Sequence, residues 1–183
     1  MSSGAHVDPS NKKIALQIAI LAVVLAFSET LGKGAQTAAL SYNIEASNLW
    51  SFFQAKTIRQ TIMRTEAEGL EAQSGNKATE AVKKQIDTWR KTADRYQSEP
   101  ETGEGRKELA ARAKKAEEKR DKSLASYHHY EVASAAVQIA IVLASAEVIT
   151  SVIALGWASA ALGVAAVGFC LIGYFWPMAV HLF

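Results

Sequence analysis

The densest grouping of side chains able to do chemistry is Tyr127-His128-His129-Tyr130-Glu131. On a helix His128 and Glu131 stand three residues apart and share a face, which is one half of a carboxylate–histidine metal site. Glu29 and Glu45 are the acids that could extend it. A di-metal centre of that kind uses four carboxylates and two histidines in a repeated Glu-x-x-His order. Here the order is inverted and occurs once. The competing reading is a belt of aromatic and imidazole rings where a helix enters the lipid headgroups, and the composition favours it. No metal or cofactor is therefore expected, with His128 and Glu131 standing as the weak candidate ligands.

Three further polar residues matter because of where they lie. Glu29, Gln138 and Glu147 fall inside otherwise apolar runs. An acid within a bilayer span is a functional candidate by default, because burying it in hydrocarbon costs about 2.5–3.5 kcal/mol at the centre. Glu29 lies within a turn of Gly32 and can reach the interface. Glu147 is placed deeper, roughly 12 Å from the nearer end if its span runs to Leu155. Its expected partners are Gln17, Gln138, the same acid in a second subunit, or a proton. A proton or cation pathway through an oligomer is the chemistry such an acid would serve. A structural polar contact is the simpler account.

The basic residues Lys83, Lys84, Arg90, Lys91, Arg95, Arg112, Lys114 and Lys115 could face anionic headgroups or nucleic acid. Residues 34 to 122 hold 17 of the 20 Lys+Arg but also 14 of the 18 Asp+Glu, so the surface is mixed. A solvated helix face accounts for it, and no nucleic-acid partner is expected. No phosphate-gripping glycine loop, Cys/His zinc pattern or Gly-x-Ser-x-Gly elbow occurs, and an enzyme is not expected.

The elements that must position these residues follow from where charge is missing. Residues 132 to 183 carry no Lys or Arg and a single acid, Glu147. A soluble domain intersperses charge over its whole surface. Three runs are candidate spans: 14–31, 133–155 and 157–176, each near the roughly 20 apolar residues that cross a bilayer. Trp157, Tyr174 and Trp176 lie at the ends of the third, where amphipathic rings prefer the interface. The first run has rivals in a cleaved signal peptide and a buried core helix. The other two spans favour its retention. Short extramembrane ends, 1–13 and 177–183, complete the division. Lys33, Arg112, Lys114, Lys115, Lys119, Arg120 and Lys122 flank the central region against Lys12 and Lys13 at the amino terminus. That bias places the central region in the cytoplasm. The single Cys170 lies within a span and excludes an intrachain disulfide. Gly156-x-x-x-Ala160 and Ala161-x-x-x-Ala165 are small-residue pairs that permit close helix approach.

Residues 32–132 read as helix throughout, in three pieces near 35–72, 79–97 and 106–132. Ser74-Gly75-Asn76 marks the first turn and Ser98–Gly105 the second. Val82, Ile86, Trp89, Ala93 and Tyr96 step by 4, 3, 4, 3, which gives one packed face. Leu109, Ala113, Ala116, Leu124 and Tyr127 form a thinner one. From Arg106 nothing interrupts helix until Gly156. Three soluble helices between two spans make an odd count, which requires a bent first helix or an oblique second one. The expected fold is all-α and integral to the membrane: three transmembrane helices, with an extramembrane helical bundle or hairpin between the first and second.

The strings ETLGKGAQT (29–37), NIEASNLWSFFQAKTIR (43–59), SEPETGEGRKELAARA (98–113) and YHHYEVASAAVQIAIVLASA (127–146) together resemble a bacterial membrane family known as domain of unknown function 4337. The resemblance runs from about Asn11 to Ala146 and implies a small, multi-pass bacterial inner-membrane protein with three spans. It carries no activity and no catalytic residue. The functional expectation is a non-enzymatic membrane protein whose cytoplasmic helices mediate self-association or partner binding, with the lipid bilayer and a homo-oligomer as its partners. Leu49, Trp50, Phe52 and Phe53 are the expected packing or docking surface. The alternative is an oligomeric proton or cation pathway centred on Glu147.

Overall fold

The computed structural model describes residues 9–180; the sequence readings that fall on residues 1–8 and 181–183 lie outside them. Four α-helices follow one another: α1 (Pro9–Ser74), α2 (Glu80–Gln97), α3 (Arg106–Thr150) and α4 (Ile153–Phe175), with a single 3-10 turn at Gly75–Lys77. No strand occurs among the described residues. The three prolines punctuate this order. Pro9 opens α1, where its missing N–H is harmless, Pro100 lies in the break before α3, and Pro177 follows α4. Three helices, α1, α3 and α4, are long and apolar enough to cross a membrane.

The first helix corrects the expected layout. It runs for 66 residues without interruption, so the anticipated boundary between a span at 14–31 and a separate helix at 35–72 does not exist. A short extramembrane hairpin between two spans does not describe it. Gly32 and Gly34 each weaken a helix by about 1 kcal/mol relative to alanine, which packing readily overrides. Gly32 is buried, and a Cβ there would stand 3.5 Å from the Tyr130 Cβ, so the glycine lies against α3 without distorting α1.

The chain forms two compact units, one of residues up to Leu40 together with those from Asp121, the other of Ser41–Arg120. In the first unit Leu21 of α1, Ala133, Val137 and Ala140 of α3 and Ala166 of α4 make the core. Gly156, Ser159, Gly163, Ala166 and Gly173 are the buried face of α4, and a Cβ at Gly163 would come within 2.7 Å of the Leu21 Cδ2. Small residues thus let the helices approach closely. The Gly156–Ala160 pair faces inward, whereas Ala161 and Ala165 are exposed. Large apolar side chains remain uncovered around the unit, among them Ile149, Trp157 and Val164, 85%, 76% and 75% exposed.

The turn between α3 and α4 also differs from expectation. It falls at Ser151–Val152, with Ser151 at φ +58°, and not at Leu155–Gly156. The Thr150 hydroxyl accepts from the Val152 N–H at 3.4 Å and the Leu155 N–H returns to the Val152 carbonyl at 3.0 Å. A new helix therefore starts before Gly156 is reached.

In the second unit α2 and the first half of α3 both run antiparallel to α1. Contacts descend α1 in order: Glu71 meets Arg90, Gln60 meets Ala93 and Gln97, Trp50 meets Glu117, and Asn43 meets Arg120. The segment Ser98–Gly105 therefore does not reverse the chain. It breaks one descending path into two helices placed end to end along α1, and this removes the difficulty of the odd helix count. Neither a bent α1 nor an oblique α2 is needed. The buried residues of α1 here, Ala46, Leu49, Lys56, Gln60 and Ala67, follow steps of three, four and seven. A 3.5-residue period keeps one face against a partner along the helix.

Candidate functional site

Within the first unit, α1 and α3 enclose a polar crevice of about 300 Å³ lined by Ser28, Glu29, Gly32, Lys33, Gln36, Tyr127, Tyr130, Glu131 and Ser134. It gathers much of the sequence-predicted chemistry in one place. Helical spacing explains the arrangement: Tyr127, Tyr130, Glu131 and Ser134 share one face of α3, and Ser28, Gly32 and Gln36 one face of α1.

Ser28 is fully buried, and its hydroxyl is 3.0 Å from the Val24 and Leu25 carbonyls and 3.2 Å from the Ser134 Oγ. These are packing hydrogen bonds that satisfy a buried hydroxyl, and they leave it unaimed at any base. The Tyr127 hydroxyl donates to Glu131 Oε1 at 3.2 Å, and the negative carboxylate beside it raises the phenol above its ordinary pKa. His128 Nδ1 lies 3.6 Å from Glu131 Oε2, the side-chain pair anticipated from their spacing. Among the described residues no three His, Cys, Asp or Glu side chains are grouped as a metal site requires. Glu131 instead serves as the common neighbour of Tyr127 and His128. Glu29 is exposed at the rim of the crevice.

His129 departs from its neighbours in being buried. Its Nε2 stands 3.2 Å from the Pro177 carbonyl, and its ring stacks on Phe169 with centroids 6.3 Å apart. It fastens the segment after α4 back onto α3, and Gly173 makes room, since a Cβ there would meet the His129 Cβ at 2.9 Å. At the far end of the unit, Gln17 donates to the Ser159 hydroxyl at 2.9 Å and to the Gly156 carbonyl at 3.3 Å, while Ser159 donates to the Ala140 carbonyl at 2.7 Å. Gln17 is thus bound to α4 and not to Glu147. The Glu147 carboxylate is half-buried over Gly156, which has no Cβ to displace it. Because α3 ends at Thr150, Glu147 stands about 4.5 Å from the helix end, nearer to it than a helix running to Leu155 would place it. Gln138 is exposed on α3.

The expected surface at Leu49, Trp50, Phe52 and Phe53 proves largely internal. Leu49 is buried with Ala46, Leu109, Ala113 and Ala116, and Trp50 and Phe53 pack against them. The Trp50 indole donates to Glu117 at 2.8 Å, and its ring meets Phe53 edge-on at 5.4 Å. Phe52 is the exposed member.

Sequence reasoning missed a second polar cluster, in the Ser41–Arg120 unit at the break between α2 and α3. Lys56, only 8% exposed, lies 3.6 Å from Glu99 and 3.9 Å from Glu104, with its ammonium over the Phe52 and Tyr96 rings at 5.5 and 5.1 Å. Arg106 donates to Gln60 and Gln97 and stands over the Phe53 ring at 5.0 Å. Gln60 itself donates to the Ala93 carbonyl at 3.0 Å. Glu108, in the first turn of α3, accepts from the Ser98 hydroxyl at 2.6 Å and the Glu99 N–H at 3.2 Å. The Ser98 bond holds its carboxyl below the ordinary range. The available signal was Lys56 and Gln60 standing at the same stepping as Leu49 and Phe53. Polar residues on a packed face require partners.

The family described as "Domain of unknown function (DUF4337)" matches residues 10–176. No curated protein and no solved structure matches the chain.

Proposed function

The chain belongs to the DUF4337 family, and we propose that it is a non-enzymatic multi-pass protein of the bacterial inner membrane whose cytoplasmic helices, Ser41–Arg120, mediate self-association. The observation that carries this reading is the contrast between the two units. One leaves large apolar side chains exposed around three span-length helices, which bilayer lipid would cover. The other is a charged helical assembly that still exposes Ile44, Ile58 and Ile62 at 53%, 61% and 48%. An apolar groove of about 510 Å³, lined by Leu16, Ile20, Val24 and Val164 and with Lys13 among its lining residues, suits a lipid chain whose phosphate meets the lysine. The Lys and Arg bias supports a cytoplasmic location for the second unit.

The test is the mass of the protein in lipid nanodiscs by light scattering. An assembly of more than one chain is expected. A strict monomer that captures no partner on cross-linking would overturn the reading. The alternative, a cation pathway through Glu147, draws no support from a carboxylate one turn from a helix end and packed on Gly156. Flux in proteoliposomes that disappears in Glu147→Gln would revive it.

A further inference from the structure

The two helices that enclose the polar crevice change character at the same level. On α1 the uncharged stretch 18–27 gives way to Glu29 and Lys33, and on α3 Glu131 is the last charged residue before Glu147. The Ser28–Ser134 hydroxyl contact at 3.2 Å and the close approach of Gly32 to Tyr130 set the register that brings these charges together. The crevice therefore opens where hydrocarbon would meet headgroups. Its volume of about 300 Å³ lies at the lower end of small-molecule sites. Its polar groups are under-used. Glu29 and Lys33 have the spacing and order of a favourable i,i+4 ion pair, yet neither forms an ion pair or side-chain hydrogen bond among the described residues. Tyr130, 5% exposed, lines the crevice, and its hydroxyl also has no hydrogen bond among the described residues, although a buried phenol ordinarily finds one. Tyr127 occupies only one of the roughly four acceptor positions of Glu131.

We propose that this crevice binds the headgroup of an ethanolamine phospholipid, its primary ammonium held by Glu29 and Glu131 and its phosphate by Lys33. The inference rests on the membrane reading and is independent of self-association. The charges select the ligand. Two carboxylates and one lysine around one cavity complement a molecule that carries a cation and an anion a few bonds apart. They do not suit a bare divalent cation: among the described residues no three His, Cys, Asp or Glu side chains are grouped as its ligands, and the lysine opposes it. A primary ammonium brings three N–H donors, and Glu29, Glu131 and the Gln36 amide line the crevice with acceptor oxygens. A choline headgroup has no N–H to donate, and its recognition uses a cage of aromatic faces in place of carboxylates. A glycerol headgroup has no cation and would leave both acids unpaired. The crevice also continues into an apolar level. Leu25 on the Glu29 face of α1 and Ile141 on the Ser134 face of α3, both half-buried, lie where the acyl chains would run. This selects the lipid as occupant over free phosphoethanolamine.

The experiment places the full chain in nanodiscs of equal parts ethanolamine, choline and glycerol phospholipids with identical acyl chains. Native mass spectrometry then reads which lipid stays bound on release. The wild type is expected to retain the ethanolamine lipid about tenfold over the choline lipid. Glu131→Gln and Lys33→Met, both at exposed positions, should each lower that preference about tenfold with the far-ultraviolet helix signal unchanged. Glu45→Gln, at an exposed acid elsewhere on α1, should leave it as it is. Equal retention of the three lipids, or a preference that survives both crevice variants, would overturn the site and leave the membrane reading standing. Retention of the glycerol lipid instead, abolished by Lys33→Met, would overturn the ammonium site in favour of a phosphate alone. Free phosphoethanolamine binding as tightly as the lipid would overturn the lipid as occupant. Protein that stays in solution without detergent and never enters the nanodiscs would overturn the membrane reading itself.

Discussion

Removing the charge on Lys56 should affect stability far less than removing the charge on its partner. The Lys56 ammonium is withdrawn from water and lies 3.6 Å from Glu99, itself 21% exposed. At the effective dielectric near 20 that suits such sites, Coulomb's law makes that attraction about 4–5 kcal/mol. Transferring the two ions out of water opposes it by several kcal/mol per ion, so the pair as a whole is close to neutral. Glu104 at 3.9 Å adds little, because it is half-exposed and screened. Lys56→Met keeps the packing against Phe52 and Tyr96 and leaves Glu99 with Arg95 at 3.8 Å. It should change stability by less than about 1 kcal/mol. Glu99→Gln leaves the buried cation only the half-exposed Glu104 and should cost about 3 kcal/mol. Hydrogen exchange followed by mass spectrometry reads both directly in peptides spanning 50–62 and 93–110. A 3 kcal/mol loss appears as exchange faster by roughly a hundredfold, and the methionine variant should stay within about fivefold. Equal effects of the two substitutions would refute the reasoning, because they would mean that the pair itself stabilises the unit.

Three other outcomes are expected. Gly105→Ala should loosen the α2–α3 break, because the new Cβ would stand 2.7 Å from the Ser98 Cα with backbone also in the way; a loss of about 1–3 kcal/mol should appear as faster exchange confined to residues 98–110. Gly163→Ala should disturb the α1–α4 contact through Leu21, and Leu21→Ala combined with it should recover part of the lost thermal stability, a coupling measurable as a double-mutant cycle in detergent. Glu108 has a folded pKa below its unfolded value, so its bonds to Ser98 and Glu99 stabilise the start of α3 above the ordinary carboxylate range, near pH 4.3. That contribution is lost as pH falls through the depressed value, and exchange of residues 98–108 should accelerate there in the wild type but not in Glu108→Gln.

Much of the fold was legible because the signals were local. Ser74-Gly75-Asn76 turned where its residues predict, with Gly75 at φ +48°, and Thr79 caps α2 through the Val82 N–H at 3.4 Å. Ile86 and Ala93 of the α2 stepping are buried, as are Leu109, Ala113 and Ala116 of α3. What escaped was non-local. Gly32-Lys33-Gly34 looks like a terminus, yet packing against α3 carries α1 through it. Ser98–Gly105 has the composition of a reversing loop, and only the contacts of Lys56, Gln60 and Arg106 show that the chain continues in its former direction. Glu147 lies nearer the end of α3 than expected because Leu155-Gly156 resembles a turn. Gly156 is instead a close-packing residue, and Ser151 supplies the positive φ. At the crevice, the His128–Glu131 pairing was readable from spacing, but the burial of His129 against Pro177 depends on where α4 ends.

The end-to-end placement of α2 and α3 along α1 has a kinetic consequence. Sequence separation across the contacts of this unit rises steadily, from 19 at Glu71–Arg90 through 33 and 46 at Gln60, to 67 at Trp50–Glu117 and 77 at Asn43–Arg120. Once the first contacts beside the Gly75–Lys77 turn have formed, each later one closes only a short additional stretch of free chain. Its entropic penalty is then far below that of the full separation. The unit should therefore zip from its tip toward Ser41 despite the long separation of its last contacts. Its natural pause lies at Gly105, where one helix must stop and another nucleate. Pulsed hydrogen exchange during refolding should find α2 protected before the first turns of α3.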